Sequence, residues 1–389
     1  MSVNSMATED VYALLNSLHT QATGRTSVAP TSVADFVSMA NTTLSAGADK
    51  VYSALMQTIA RAVFSSRAYT GKFKGLDADS IRWGGIIRKI SMADNDLDPD
   101  EAYHNLTDGT SVDMYERKKA NILETRYYGS DVYQDFYTIY RVQLLDAFQG
   151  PAELGSFVSM IAQEMSNKWE QYNEELRRMA LGNMIAAKAQ LNEDQIHLLT
   201  EYNAASGAGL TAQDIFLPAN IKPFFEWVKG RINTLSRQMT ARSVKFQHPI
   251  TGKPITRHTP YRDQKHYITA DYLDIIQTTV LPEAFHNEDL KYVDVEAVDY
   301  WQGIDSPDEI NLTPVYIDGS GQVQTGSAQN ITDIFGVLFD RDAVVVSNID
   351  KEIATTQYNA RGRYWNTFLS ANSRYCNDLT EKFIVLLLD

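Results

Sequence analysis

One cluster of side chains in the sequence could bind a metal ion: His258, Asp263 and His266. Imidazole and carboxylate groups are ligands of transition metals, so their convergence would suit a metal-dependent hydrolase. The segment that holds them, residues 256–266, also carries three cationic residues, which would repel a metal ion. We therefore interpret this segment as a solvated loop and predict no metal site.

Other signatures of catalysis are missing from the sequence. Gly252-Lys253 is followed by proline, whereas a phosphate-binding loop needs serine or threonine at that position. Cys376 is the single cysteine, and it has no histidine nearby in the sequence. A single cysteine excludes both an intrachain disulfide and a thiolate zinc site. We predict that the protein is not an enzyme and has no cofactor.

The composition is that of a folded protein with a real core. The chain has 389 residues, of which 44% are hydrophobic and 22% charged, and it is long enough for two or three domains. Its net charge of −14 argues against a basic, nucleic-acid-binding surface. The 21 Tyr, 15 Phe and 5 Trp suit either a large core or protein–protein contact surfaces. The sequence contains neither a membrane-spanning run nor a signal peptide, which predicts synthesis in a reducing cytoplasm.

The elements that would position any site begin with an N-terminal arm over residues 1–70. It contains short amphipathic stretches separated by polar loops. Because their apolar content is too small for a core of their own, the arm must lie on another surface.

A β-arm follows. Residues 81–90 and 117–128 are typical of two charged strands, joined by the acidic, turn-rich stretch 94–113. Two such strands bury little of themselves, so we expect the arm to project and pair with a neighbour, although an ordinary surface hairpin has the same pattern. Trp and Arg dominate protein interfaces. Arg82, Trp83 and Arg88 are therefore the predicted contact residues, with packing at the hairpin base as the alternative for Trp83.

The strongest pattern is a long helix after Gly150-Pro151. Apolar residues recur every three or four positions from Leu154 to Met179, which predicts a helix over 151–189 of roughly 55–60 Å. The stripe follows no strict heptad, which disfavours a coiled coil. A second amphipathic helix is predicted over 219–240. From residue 264 the pattern is mixed α/β and closes on the apolar run 383–388.

This order of elements resembles the Hong Kong 97 fold of the major capsid proteins of tailed bacteriophages. Residues 136–148, a predicted strand that leads into residues 150–157, look like the entry to the spine helix in capsid proteins of phages that infect gut bacteria. Residues 336–346 resemble the strand that returns from the axial to the peripheral domain, and residues 361–368 are similar to the closing segment. The resemblance extends over residues 70 to 389.

The resemblance implies an α+β capsid fold with five parts. They are an N-terminal arm (1–70), an extended loop formed by the β-arm (71–130), a peripheral domain with a spine helix over 151–189 (131–262), an axial domain (263–345), and a return to the peripheral domain (346–389).

The resemblance also implies a structural protein of the virion, assembled in the host bacterial cytoplasm. Hexamers and pentamers of the chain would form an icosahedral shell around double-stranded DNA, without sequence-specific binding or a membrane, and with scaffolding and portal proteins as partners. Some family members weld subunits through a Lys–Asn isopeptide bond. Lys118 and Lys119 on the β-arm are candidates for that bond and for subunit contact. The alternatives are an encapsulin-like or other virion shell component, and the metal-dependent hydrolase.

Overall fold

The described parts of the chain come from a computed structural model. They are residues 7–65, 71–77, 86–92, 113, 115, 117, 122–128, 131–249, 255–279 and 295–389.

The helices of these parts are α1 (Thr8–Thr23), α2 (Val33–Ser45), α3 (Ala48–Ser65), α4 (Arg141–Ala147), α5 (Pro151–Leu191), α6 (Leu198–Ser206), α7 (Ile221–Thr240) and α8 (Ala270–Thr279). The strands are β1 (Ile86–Met92), β2 (Ile122–Tyr128), β3 (Asp131–Tyr140), β4 (Gln195–His197), β5 (Gln264–Thr269), β6 (Val295–Val298), β7 (Ile310–Leu312), β8 (Val315–Ile317), β9 (Val323–Thr325), β10 (Gln329–Ile331), β11 (Ile334–Asp340), β12 (Val344–Thr355), β13 (Tyr364–Asn377) and β14 (Phe383–Leu387). Among the described helices, none combines the length and the hydropathy that a membrane span requires.

The long helix α5 organises the subunit. It starts at Pro151, directly after Gly150, and ends at Leu191, where the following residue Asn192, with a φ of 52°, closes the last turn. Its 41 residues span about 60 Å. The first half buries apolar side chains in one hydrophobic core and the second half in another. The predicted helix over 151–189 is therefore observed, two residues longer.

The first core joins the N-terminal helices to the body of the same chain. Helices α1–α3 pack on the first half of α5 and on the sheet of β12, β13 and β3. Trp365 donates from Nε1 to Asp49 at 2.7 Å and stacks on Tyr52 at 4.8 Å between ring centroids. The Tyr52 hydroxyl lies 2.7 Å from the Thr367 hydroxyl. As the low apolar content predicted, the arm lies on another surface, and that surface belongs to its own subunit.

A five-stranded sheet in the order β4-β14-β11-β5-β6 separates the second and third cores. The second half of α5 packs on one face, and α6, α7 and α8 pack on the other. The central strand β11 is buried along its whole length. At the irregularity beside Gly336, a Cβ atom would lie 2.4 Å from the Tyr267 carbonyl oxygen, so only glycine fits there.

The expected strand over 136–148 ends early. β3 stops at Tyr140, and α4 follows in its place. The Tyr140 N–H donates to the Gln143 side chain at 3.1 Å, and the Arg141 N–H donates to the Arg363 carbonyl at 2.9 Å. These two bonds, one of them to the turn that precedes β13, start a helix where the local sequence favours extension.

Candidate subunit-contact site

The β-arm is a two-stranded antiparallel ribbon. Ile86 pairs with Tyr128, and the register runs without a bulge to Met92, which pairs with Ile122. Because side chains alternate between the two faces of a strand, every second side chain of β1 and β2 lies on an outward face and the others lie on an inward face. The described strands lie within the predicted ones at 81–90 and 117–128, except for the last two residues of β1.

The outward face combines apolar and charged side chains. Ile90, Met92 and Ile122 are 58%, 66% and 62% exposed. Beside them, Glu124 accepts from Arg126 at 2.6 Å and forms an ion pair with Arg88 at 2.5 Å. Hydrogen bonds from Arg126 and Arg88 lower the pKa of Glu124, and the bond from Arg126 has the larger effect. An apolar patch bordered by paired arginines has the composition of a protein interface.

The inward face is held on the subunit's own body by charge. Lys89 Nζ lies 2.6 Å from Asp378 and 2.5 Å from Glu381, whose side chains are only 4% and 7% exposed. Arg257 reaches Glu381 at 3.3 Å and donates to the Ser91 hydroxyl at 2.7 Å. We call Lys89, Arg257, Asp378 and Glu381 the charge clamp.

Burial and attraction compete in the charge clamp. Burial alone would lower the pKa of Lys89, but the charges of Asp378 and Glu381 outweigh it and raise that pKa. Burial would likewise raise the pKa of Asp378, and the Lys89 charge outweighs it and lowers that pKa. For Glu381 burial prevails over Lys89 and Arg257, so its pKa is raised. The clamp is a mutually dependent set rather than a sum of pairs.

The β-arm also covers the single cysteine. Tyr127 on β2 is hydrogen-bonded to Cys376 on β13, which is buried. Burial raises the pKa of the Cys376 thiol to about 12, so the thiol is protonated and poorly nucleophilic at neutral pH.

The chain that leads into the arm is fastened to α5. Glu170 and Glu174 accept the backbone N–H groups of residues 71 and 72 at 3.0 and 3.1 Å. Arg177 donates to both carboxylate oxygens of Asp77 at 2.7 and 2.6 Å. The arm therefore starts from a fixed point on the long helix.

A second outward surface lies on the sheet of β12, β13 and β3. Its exposed face is aromatic: Phe136 lies 6.0 Å from Phe368, and Tyr140 lies 6.1 Å from Tyr364. Phe136 and Tyr140 stay more than half exposed. Their strand β3 is an edge strand of that sheet in the described chain.

The model of the Phi29-like phage major capsid protein family matches residues 12–387. The chain belongs to this family. The solved capsid structure of Staphylococcus phage Andhra has a TM-score of 0.56 and 12% identity to the capsid protein, covering 83% of this chain and 86% of that chain. A chain in the structure of the head fiber and inner core protein gp22 of native bacteriophage P68 has a TM-score of 0.53 and 13% identity, again covering 83% and 86%. By sequence alone, no curated protein matches.

These comparisons confirm the resemblance to tailed-phage major capsid proteins and the α+β capsid fold. The capsid protein is a structural subunit of the shell of a tailed phage. The family match also favours a phage capsid over the encapsulin-like alternative.

Of the predicted contact residues, the structure describes one. Arg88 lies on the outward face of β1, exposed and paired with Glu124. Arg82, Trp83, Lys118 and Lys119 lie outside the described residues. Sequence reasoning missed the charge clamp, because Lys89 lies far along the chain from Asp378 and Glu381 and no local pattern joins them.

The three residues of the metal hypothesis do different things in the capsid protein. His258 is exposed, whereas His266 is buried in β5 between β11 and β6. Asp263 pairs with Arg341 at 3.2 Å. No group of three or more His, Cys, Asp or Glu side chains in the described parts could hold a metal ion. The segment is also less of a solvated loop than predicted, because His266 belongs to an inner strand.

Proposed function

We propose that the capsid protein assembles with copies of itself, as hexamers and pentamers, into an icosahedral shell around double-stranded DNA. Scaffolding and portal proteins would be its partners, and assembly would take place in the host bacterial cytoplasm. The division into N-terminal arm, extended loop, peripheral domain and axial domain belongs to the same proposal.

The outward face of the β-arm carries the proposal. A free subunit would leave Ile90, Met92 and Ile122 in water on a ribbon that is too thin to bury them itself. Covering the exposed part of such a side chain stabilises a complex by about 1–2 kcal/mol. Repeated at every subunit of a shell, this contribution becomes large, so we assign this face to contact with a second copy.

The net charge of the chain favours a structural shell protein over a sequence-specific DNA-binding protein. A net charge of −14 repels phosphates, so packaged DNA would not adhere strongly to the wall. We also propose that the protein performs no catalysis: its family consists of structural capsid proteins, and its one thiol is buried and protonated.

The test removes the apolar patch from the arm without touching the body. Met92 and Ile122 lie directly opposite each other, so we propose the double variant Met92→Ser/Ile122→Ser. The matched control is Val28→Ser/Val323→Ser, because these two side chains are 85% and 70% exposed elsewhere on the surface.

Both variants and the natural chain are expressed, separated by sedimentation and imaged by negative-stain electron microscopy. We expect closed shells from the natural chain and the control, and folded, unassembled subunits from the arm variant. Normal shells from the arm variant would show that this face is not a subunit contact.

A further inference from the structure

The arm is attached to its subunit differently from every other layer of the fold. Helices and sheets pack through three apolar cores, and none of the described side chains of β1 or β2 belongs to any of them. The described contacts between arm and body are polar: Lys89 with Asp378 and Glu381, Ser91 with Arg257, and Tyr127 with Cys376. Lifting the arm would therefore expose charges and hydroxyl groups rather than an apolar core.

The body side of the clamp is built independently of the arm. Asp378 accepts from the Thr380 N–H at 2.9 Å and from its hydroxyl at 2.6 Å, which fixes the turn between β13 and β14. Two residues further on, the buried Lys382 donates to the carbonyls of Met239 and Ala241 at 3.1 and 2.6 Å, which ties the same turn to the end of α7. The Asp378 carboxylate and the backbone of the turn are thus held in place whether or not the arm is docked.

The arm side consists mainly of one cation. Asp378 and Glu381 are buried close together, and without Lys89 their described cationic partner is Arg257, which reaches only Glu381. Two buried carboxylates with one cationic partner between them repel each other and are poorly solvated. Docking of Lys89 relieves this repulsion, so this single side chain strongly stabilises the contact between the arm and the turn.

We propose that Lys89 is an intramolecular latch that fixes the β-arm on its own subunit and thereby sets the direction of its outward face before a second copy binds. The role of the latch in assembly rests on the proposed subunit contact. Whether Lys89 holds the arm on its own subunit can be measured without assembly. Release of the latch frees the arm as one unit and uncovers the thiol of Cys376.

Cys376 is the only cysteine in the sequence, so a coloured thiol reagent such as 5,5′-dithiobis(2-nitrobenzoic acid) reports the position of the arm. The full-length chain is compared, as unassembled subunits, with Lys89→Met and Lys89→Arg. The matched control is Arg88→Met, which removes a neighbouring cation from the outward face of the same strand.

We expect Lys89→Met to react roughly ten-fold faster or more, because loss of one partner of a buried ion pair strongly disfavours docking. Lys89→Arg should restore slow reaction, and Arg88→Met should match the natural chain. Natural reactivity in Lys89→Met would overturn the latch.

A second measurement covers the case in which Lys89→Met does not fold. Amide hydrogen exchange of the natural chain should show β1 and β2 exchanging together, faster than β11 and β13. Exchange of the arm together with the central sheet would also overturn the latch.

The two proposals fail in different ways. Rapid thiol reaction of Lys89→Met together with normal shells from Met92→Ser/Ile122→Ser would leave the latch standing and remove the subunit contact. Natural thiol reactivity of Lys89→Met together with failed shells from the double variant would remove the latch and leave the subunit contact standing.

Discussion

Acid should weaken the capsid protein subunit through one buried histidine. His266 lies in the inner strand β5, opposite Leu338 of β11 and Val295 of β6, and only 2% of it is exposed. Burial lowers its pKa from 6.5 to about 3, because the imidazolium would lose its hydration inside the sheet. The folded chain therefore keeps this ring neutral at pH values where the unfolded chain protonates it.

The sign and size follow from the two pKa values. Below pH 6.5 the unfolded state binds a proton that the folded state does not, so the free energy of unfolding falls as the pH falls. The loss continues until the pH reaches about 3, at about 1.4 kcal/mol per pH unit. Between pH 7 and pH 5 the expected loss from His266 is about 2 kcal/mol.

The assay is urea unfolding of unassembled full-length subunits at pH 7, 6 and 5. The variant His266→Gln cannot titrate, so its free energy of unfolding should fall by about 2 kcal/mol less than that of the natural chain over this range. The matched control is His258→Gln, because His258 is exposed in the same segment, and its pH dependence should follow the natural chain. Equal pH dependence of His266→Gln and the natural chain would refute the reasoning.

Three further predictions concern packing, and each is checked by thermal and urea unfolding of the subunit. Gly336→Ala should destabilise it by about 1–3 kcal/mol, because the new Cβ meets the Tyr267 carbonyl. The control Gly303→Ala should be nearly neutral, because its Cβ meets nothing within 4 Å, and equal effects of the two variants would contradict the prediction. Leu55→Ala should cost about 2–5 kcal/mol and lower the main transition, because α3 belongs to the first core; an unchanged midpoint would mean that the N-terminal helices are not part of that core. Lys382→Met should cost about 2–4 kcal/mol, because it leaves two carbonyls at the end of α7 without their donor; natural stability of this variant would show that water replaces the lysine.

The sequence predicted those elements that depend on interactions between residues close together in the chain. The helices α5 and α7 follow from apolar repeats within one segment, and they were predicted to within two residues. The two strands of the β-arm were predicted from local composition in the same way. The α+β capsid fold came instead from the order of elements and its resemblance to a known family.

The candidate site was only partly predictable. Arg88 could be proposed from its type and its strand, but the charge clamp joins Lys89 to the turn between β13 and β14, and no repeat or motif announces that contact. The metal hypothesis, which the sequence already disfavoured, shows the opposite limit of local patterns. Closeness in sequence suggested that His258 and His266 act together, whereas the intervening turn leaves one in solvent and sends the other into the sheet.

The helix α5 has a mechanical consequence. It enters the first core up to Met165 and the second core from Leu176, so both ends are embedded in close-packed apolar surroundings. Between these residues Trp169 still packs against the first core and Tyr172 against the second, while Glu170 forms an ion pair with Lys74 at 3.3 Å. The helix is therefore a continuous strut that joins the two cores. Internal pressure on the shell would be shared between the two halves of a subunit through this strut.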